Sequence, residues 1–239
     1  MGRYSAPLAP VFADFARLAG SARVLDVGSG PGALTRELAS HMGSLAVCAV
    51  DPSEAFVEAA RERVPGVWVE RAVAEALPFE DEVFDAALAQ LVVHFMADPD
   101  GGLREMRRVT KARGVVAACV WDHAGGHGPL GVFWEAARVL DVDVDDESSR
   151  AGARRGHLAE LFEAAGLRDI DEGAVSVEVE HRSFEEWWEP FTLGVGPAGG
   201  FVARLSAREQ DQLRELCRER LPDAPFVVSA RAWAARGVA

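Results

Sequence analysis

The sequence predicts an α/β fold in which an open, mostly parallel seven-stranded sheet carries helices on both faces and a helical cap is inserted in the C-terminal half. Two observations support this prediction. In the first half of the chain, short β-branched runs alternate with amphipathic helical patterns, as in a parallel sheet covered on both sides. In the second half, this alternation is interrupted twice before two further strand patterns appear.

The first half contains five strand patterns with three helix patterns between them, after an N-terminal helix at residues 1–18. The strands are predicted at residues 23–27, 45–50, 67–70, 83–89 and 114–121, and the helices at residues 34–42, 53–64 and 102–112. Ser53 is predicted to cap the second of these helices, and Gly114 to follow the end of the third.

After residue 122 the pattern loosens into a glycine-rich segment and an acidic run from Asp141 to Glu147. The remaining patterns predict helices at residues 157–165, 184–191 and 207–220, a strand through Val175, Val177 and Val179, and a last strand at residues 225–233. We interpret residues 1–239 as a single domain. Residues 1–122 are predicted to form the N-terminal helix and the cofactor-binding half, and residues 123–156 and 184–223 the cap.

Charge and hydropathy exclude several classes of function. The formal net charge is -13, and no basic stretch is present that could neutralise a nucleic acid backbone. No segment has the roughly 18 consecutive apolar residues of a membrane helix, and no secretory leader pattern is found. We therefore expect a cytoplasmic protein that acts on a small molecule, not on a nucleic acid or a membrane.

The three cysteines indicate neither a disulfide nor a metal site. Cys48 and Cys119 lie in apolar strand patterns and Cys217 in a helix pattern, and their spacings do not match a metal-binding motif. We predict buried, reduced thiols and no metal.

The strongest functional signal is a glycine-rich turn between the first strand and the first helix of the sheet. In the segment Val24-Leu25-Asp26-Val27-Gly28-Ser29-Gly30-Pro31-Gly32, three glycines at alternate positions let a ligand lie against bare backbone. Gly28, Gly30 and Ala33 also satisfy the looser dinucleotide-binding spacing. The turn alone therefore leaves the cofactor open.

The surroundings of the turn favour one cofactor. Asp26 stands inside a strand that is usually apolar in dinucleotide-binding proteins, and Pro31-Gly32 adds a glycine that no pyrophosphate requires. Over residues 24–122 the chain resembles the class I S-adenosylmethionine-dependent methyltransferases, in the group of the ubiquinone and menaquinone biosynthesis enzymes (methyltransferase type 11). The resemblance implies a Rossmann-like fold, S-adenosyl-L-methionine as cofactor, and methylation of an oxygen, nitrogen or carbon of a small molecule. It also implies that Asp26, Gly28, Ser29, Gly30 and Gly32 contact the cofactor.

Asp51 ends the second strand, 23 positions after Gly28. A carboxylate at this place can accept hydrogen bonds from both ribose hydroxyls of an adenosine, and we include the neighbouring Pro52 in the site. The alternative is that Asp51 only caps the helix that begins near Ser53.

A third segment, Ala74-Glu75-Ala76-Leu77-Pro78-Phe79, resembles the loop that covers the adenine in this family. Most relatives carry an aspartate where this chain has Val73. We therefore expect backbone groups around Ala74 and Glu75, or water, to take its place, although Glu75 is equally well explained as a solvated residue at a helix start.

The fourth strand ends in Gln90-Leu91-Val92-Val93-His94, at the sheet edge where open α/β folds bind ligands. In relatives this loop flanks the reactive methyl group, and backbone near Gln90 and Leu91 holds the methionine ammonium. His94 is the candidate general base. A structural histidine that shapes the pocket is an equal alternative, and positioning can supply catalysis without a base.

Aromatic residues are the candidates for the acceptor pocket. Tyr4, Trp121 and Trp134 are predicted to bind the substrate, with ordinary core packing as the alternative.

Two rival functions remain open. A nicotinamide-dependent oxidoreductase would need a tyrosine and lysine pair, for which Tyr4 and Lys111 are the only candidates, and a non-catalytic S-adenosylmethionine-binding protein would share the cofactor site.

Overall fold

The computed structural model of the protein describes residues 2–19, 22–140 and 144–239. The seven strands are β1 (Val24–Val27), β2 (Val47–Asp51), β3 (Trp68–Arg71), β4 (Phe84–Gln90), β5 (Thr110–Trp121), β6 (Arg168–His181) and β7 (Phe226–Val238). They form one sheet in the order β3-β2-β1-β4-β5-β7-β6. The first five strands are parallel, and β7 runs antiparallel to both β5 and β6. The predicted fold class is confirmed.

The helices are α1 (Gly2–Ala16), α2 (Ala33–Met42), α3 (Glu54–Arg63), α4 (Pro99–Val109), α5 (Gly131–Leu140), α6 (His157–Ala164), α7 (Phe184–Trp188), α8 (Gly196–Arg204) and α9 (Ala207–Arg220). Met1 of the predicted first helix and residues 141–143 of the acidic run lie outside the described residues. Helices α1, α2 and α3 pack on one face of the sheet, and α4 and α6 pack on the other.

Apolar periodicity explains these layers. Leu34 and Leu38 of α2 are one helical turn apart and fully buried on one face, and Leu103 and Met106 of α4 are buried on the other. All residues of β1 and β2 are buried because both faces of these central strands are covered. Cys48, Cys119 and Cys217 are free and buried, as predicted.

The cap is a third apolar cluster, built from α5, α7, α8 and α9. Aromatic rings form its centre: the Phe133 ring stacks on Phe191 at 4.6 Å between centroids and meets Trp134 edge to face at 4.9 Å. Trp187 and Trp188 are both buried in the same cluster. The cap therefore has a core of its own, to which Phe226 and Val228 of β7 also contribute.

The structure corrects two local predictions and adds two helices. Helices α5 and α8 lie in the predicted cap at places where no individual helix was predicted, and both are stabilised by apolar side chains that pack into the cap. Helix α4 ends at Val109, so Gly114 lies inside β5, where an added Cβ would be 2.7 Å from the Asp85 carbonyl oxygen. Ser53 occupies the N-cap position of α3 without a side-chain hydrogen bond.

Candidate cofactor and acceptor site

The strand order reverses between β1 and β4, and open α/β sheets bind ligands at the carboxyl end of such a switch point. The turn after β1 and the loop after β4 touch there. Gly28 has a φ of +70°, and a Cβ at this position would lie 2.5 Å from both Cγ atoms of Val92. Gly28 is therefore required by its backbone conformation and by this close approach.

The three glycines of the turn have different surroundings. Gly32 has a φ of +87°, and a Cβ at this position would lie 3.2 Å from Val64, which follows the end of α3. The absence of a side chain at Gly32 therefore allows the end of α3 to pack closely against the turn. Gly30, at a φ of +53°, has no atom within 4 Å of its Cβ position. Of these three positions, only Gly30 turns bare backbone toward open space.

Backbone hydrogen bonds fix the turn to β2. The N–H groups of Gly28 and Ser29 donate to the carbonyl oxygen of Val50 at 2.8 and 3.0 Å. The N–H of Gly30 donates to Oδ2 of Asp51 at 2.8 Å. These three hydrogen bonds hold the turn after β1 against the end of β2, next to the open space at Gly30.

Asp51 also supports the start of α3. Its Oδ1 atom accepts a hydrogen bond from the N–H of Ser53 at 2.9 Å, which is the contact that the capping alternative requires. Each carboxylate oxygen accepts one backbone N–H and keeps capacity for a second donor. Pro52 is exposed, and its carbonyl oxygen accepts from Arg71 Nε at 3.0 Å.

Asp26 is a buried carboxyl group with one free oxygen. Oδ2 accepts a hydrogen bond from the Thr35 hydroxyl at 2.6 Å, whereas Oδ1 has no partner among the described residues. Burial raises the pKa of Asp26 to about 7, against the opposing effect of the Thr35 hydrogen bond. A cation at Oδ1 would favour the ionised form.

The predicted adenine loop is anchored by Glu75. Its Oε1 atom accepts the N–H groups of Ala97 and Asp98 at 2.8 and 3.2 Å, so Glu75 holds the segment before α4 and does not start a helix. Ala74 is buried beside it, and Val73 is 46% exposed. Glu75, the carboxylate two residues after Val73, is engaged by these backbone N–H groups, and adenine contacts through the backbone of this loop stay a prediction.

The end of β4 is covered by the N-terminal helix. Gln90 is buried and donates from Nε2 to the carbonyl oxygen of Ser5 in α1 at 3.0 Å, while its Oε1 has no partner among the described residues. Leu91 adopts a left-handed φ of 62°, and its N–H donates to Cys119 at 2.8 Å. Helix α1 therefore forms a wall of the site.

His94 lies in the turn after β4 and is 5% exposed. Its ring is 3.9 Å from the Phe95 ring and 5.6 Å from the His123 ring between centroids. Burial, reinforced by the nearby His123 and Arg150, lowers the pKa of His94 to about 3. Such an imidazole is neutral at pH 7 and is a weak base, which disfavours the general-base prediction.

The sequence interpretation missed two neighbours of His94. His123 follows the end of β5 and is buried, with its pKa lowered to about 4 chiefly by burial. Glu147 is also buried, and burial raises the pKa of its carboxyl group. His123 could have been found because it stands at a strand end, whereas no local pattern marks Glu147.

The three predicted substrate residues do not converge on one pocket. The Tyr4 hydroxyl is hydrogen-bonded to Nε2 of His181 at 2.8 Å, and the Tyr4 ring packs edge to face on Trp121 at 6.4 Å. Trp121 is fully buried in the core beneath α1. Trp134 is 3% exposed in the core of the cap, and its indole N–H lies close enough to the Glu147 carboxyl group to act on it. Their packing favours the alternative of structural aromatic residues.

The tyrosine and lysine pair of the oxidoreductase alternative is not assembled. Lys111 is paired with Asp85 at 2.8 Å near the beginning of β5, whereas Tyr4 packs on Trp121 at its end.

None of the described helices has both the length and the apolar character needed to cross a bilayer.

Comparisons with known proteins agree with the geometry. Residues 25–118 match the model of the methyltransferase domain family. Demethylmenaquinone methyltransferase of Clavibacter sepedonicus is 36% identical over 197 residues, which cover 76% of this chain and 76% of the relative. Malonyl-[acyl-carrier protein] O-methyltransferase of Halorhodospira halophila is 36% identical over 142 residues, 54% of this chain and 48% of the relative. The crystal structure of the YcgJ protein from Bacillus subtilis has a TM-score of 0.63 at 18% identity and covers 96% of this chain and 97% of its own.

The fold by itself defines a Rossmann-like α/β protein with a ligand site at the carboxyl edge of its sheet. With these similarities, the chain belongs to the class I S-adenosylmethionine-dependent methyltransferases. The predicted family and cofactor are thereby confirmed. The chain spans about half or less of the length of the first curated relatives that it matches, between 39% and 48%.

Proposed function

We propose that this protein transfers a methyl group from S-adenosylmethionine to a small organic acceptor bound at the carboxyl ends of β4 and β5. The observation that carries this proposal is the burial of Gln90 against α1 and of His94 in the turn that follows β4. A site enclosed in this way favours a small molecule over a polymer.

The residues at the switch point suit the proposed cofactor. Open space at Gly30 admits a ligand against the backbone, and Asp51 can accept ribose hydroxyls while it holds the turn. The free oxygens of Asp26 and Gln90 are buried acceptors without a partner among the described residues, and the methionine ammonium would satisfy them. We infer that the adenine lies along Ala74 and Glu75.

When bound, S-adenosylmethionine supplies a methyl group on a positively charged sulfur, which is already activated toward a nucleophile. The chain then has to orient the acceptor and exclude water. His94, neutral and buried, suits this positioning role better than proton removal.

The named relatives differ in their acceptors. One is named for demethylmenaquinone and another for the malonyl group of an acyl-carrier protein. We propose that the acceptor of this chain is a small organic molecule, methylated on carbon, oxygen or nitrogen.

The test is a binding assay followed by a transfer assay. Calorimetry and thermal shift should show binding of S-adenosylmethionine and S-adenosylhomocysteine and none of NAD. Labelled S-adenosylmethionine with a panel of demethylated quinols and malonyl thioesters should then yield a labelled product. Binding without transfer to any acceptor would favour the non-catalytic alternative, and a response to NAD alone would overturn the proposal.

A pair of glycine variants locates the cofactor. Gly30→Ala places a methyl group in the open space of the turn, and we expect cofactor binding to weaken by about 1–3 kcal/mol. Gly43→Ala is the matched control, because Gly43 also has a positive φ, +83°, and open space around its Cβ position, but lies at the end of α2. Equal effects of the two variants on affinity would contradict the placement.

A further inference from the structure

Three buried polar side chains from separate parts of the chain meet beside the proposed acceptor site. His94 lies in the turn after β4, His123 follows β5, and Glu147 belongs to the segment between α5 and α6. One nitrogen or oxygen atom of each lies within 4.8 Å of those of the other two. All three side chains are more than nine-tenths buried, at 5%, 5% and 1% exposure.

These groups lack the partners that buried polar atoms normally have. Both ring nitrogens of His94, Nε2 of His123 and Oε2 of Glu147 make no hydrogen bond within the part of the chain that the structure describes. Leaving a buried polar group unpaired is strongly unfavourable, and native proteins rarely do so. A neutral imidazole has one acceptor nitrogen, so each of the three side chains can offer one acceptor atom to the cluster. Three acceptors without partners at one point indicate a ligand that takes their lone pairs.

The backbone also fixes this arrangement. Glu147 adopts a left-handed φ of 67°, which is unusual for a residue with a side chain. Its carbonyl oxygen accepts the N–H of Arg150 at 3.1 Å, and this turn directs the carboxyl group inward. Strained residues of this kind cluster at functional sites.

The charges around the cluster admit a cation. Arg150 is a positive group that acts on all three side chains, and it lies 3.8 Å from the carboxylate of Asp145, which partly offsets its charge. Asp122 and Asp146 add negative potential at His123.

We propose that His94, His123 and Glu147 form a binding site for one divalent transition-metal ion, of which zinc is the best match. Two imidazoles and one carboxylate are a ligand set of zinc sites that keep an open position, and they suit a borderline ion better than Mg²⁺, which prefers oxygen. Zinc bonds to these ligands are about 2.0–2.2 Å long. Ligand atoms bound to a tetrahedral ion at these bond lengths lie about 3.3–3.4 Å apart. The separations in the cluster, which reach up to 4.8 Å, therefore have to shorten when the ion binds.

The proposal does not depend on methyl transfer, so it is tested without cofactor or acceptor. The full chain, freed of any affinity tag and treated with a chelator, is titrated with Zn²⁺ by calorimetry and with Co²⁺ by visible absorption. We expect one equivalent of each to bind, Zn²⁺ to raise the melting temperature, and Mg²⁺ to have no effect. No binding at one equivalent of either transition metal would overturn the proposal.

Near-isosteric variants assign the ligands. His94→Gln, His123→Gln and Glu147→Gln should each weaken Zn²⁺ binding by at least about tenfold, the lower bound for loss of even an outer-shell partner. His41→Gln is the matched control, because His41 is exposed and paired only with Glu37 on the helix surface. Binding that survives all three site variants, or that His41→Gln abolishes, would contradict the site.

A measurement on the unaltered chain covers the case in which a variant does not fold. X-ray absorption at the zinc edge should show two imidazole ligands and oxygen. A spectrum without imidazole, or one dominated by sulfur, would place the ion elsewhere and refute the assignment.

Discussion

The two halves of the sheet's carboxyl edge satisfy their buried polar groups in different ways. After β1 and β2, backbone N–H groups occupy both oxygens of Asp51, and Asp26 Oδ1 is the exception. After β4 and β5, polar atoms of His94, His123 and Glu147 lie close together. Both His94 ring nitrogens, Nε2 of His123 and Oε2 of Glu147 make no hydrogen bond among the described residues. The first half is therefore nearly complete as folded, whereas the second half leaves several buried polar atoms that the proposed ion would satisfy.

The largest expected effect tests the second half of the edge through Trp134, whose indole N–H lies beside the Glu147 carboxyl group. Trp134→Ala removes a buried ring that contacts Phe133 and Phe201, and we expect a loss of about 3–5 kcal/mol in the free energy of unfolding. Cofactor affinity should change little, while turnover of the acceptor should fall. Urea denaturation, calorimetry and product formation measure the three quantities.

The control for this variant is Trp68→Ala, because Trp68 is 44% exposed at the far edge of the sheet and should cost less. If Trp134→Ala reduced cofactor affinity as strongly as turnover, the two halves of the edge would not be independent.

The next effect tests how tightly the cofactor side is packed. Gly28→Ala adds both left-handed strain and a clash with Val92, and we expect a loss of stability of about 2–5 kcal/mol. Adding Val92→Ala should recover part of that loss, because it removes the clash but not the strain. Chemical denaturation of the two variants measures the difference. If the second substitution recovered nothing, the contact between the two turns would be refuted.

Asp51→Ala separates its two roles. We expect cofactor binding to weaken by about 1.5–3 kcal/mol, the range for hydrogen bonds to a charged group, together with a loss of stability as Gly30 and Ser53 lose their acceptor. Asp51→Asn, which keeps one acceptor oxygen, should have a smaller effect on both. Calorimetry of the surviving protein gives the affinity. A stability loss with unchanged affinity would leave Asp51 as a helix cap only.

The smallest effect concerns pH and Asp26. Burial raises its pKa to about 7 in the folded protein, against about 3.9 in the unfolded chain, so the folded state binds the extra proton between these values. Stability attributable to this group therefore falls as pH rises, by about 1 kcal/mol between pH 6 and 8. Asp26→Asn should remove this dependence. In the unaltered chain, cofactor affinity should rise over the same interval, because the carboxylate form pairs with the ammonium.

Unfolding curves and calorimetry at pH 6, 7 and 8 provide this test. An affinity in the unaltered chain that is independent of pH would show that Asp26 does not meet the cofactor charge.

Local patterns predicted the cofactor half well because its parts are close in sequence. The glycine turn is contiguous, and the buried strands β1 and β2 appear as apolar runs. The prediction that Gly114 follows a helix end was wrong, because the same residue type also occurs where two backbone segments approach closely within a sheet. Helix α8 contains Gly196, Gly199 and Gly200, so its stability comes from tertiary packing rather than from intrinsic preference.

The acceptor half could be predicted only in part. His94 was found because it follows a strand end, and the absence of a metal was predicted from cysteine spacing alone. Glu147 reaches the cluster from an acidic surface run, and only the path of the chain between α5 and α6 places it there. Residues joined by tertiary structure leave no spacing rule in the sequence.

The position of β7 between β5 and β6 has a consequence for the order of assembly. Strand β6 is synthesised well before β7, yet β7 is the neighbour to which it is hydrogen-bonded. Until β7 arrives, β6 presents an unpaired edge together with the apolar face of Val175, Val177 and Val179. Such an edge can pair with another chain, so the interval between the synthesis of the two strands is when a nascent chain is most exposed to aggregation. The sheet closes from its interior, with the last strand inserted between two that are already made.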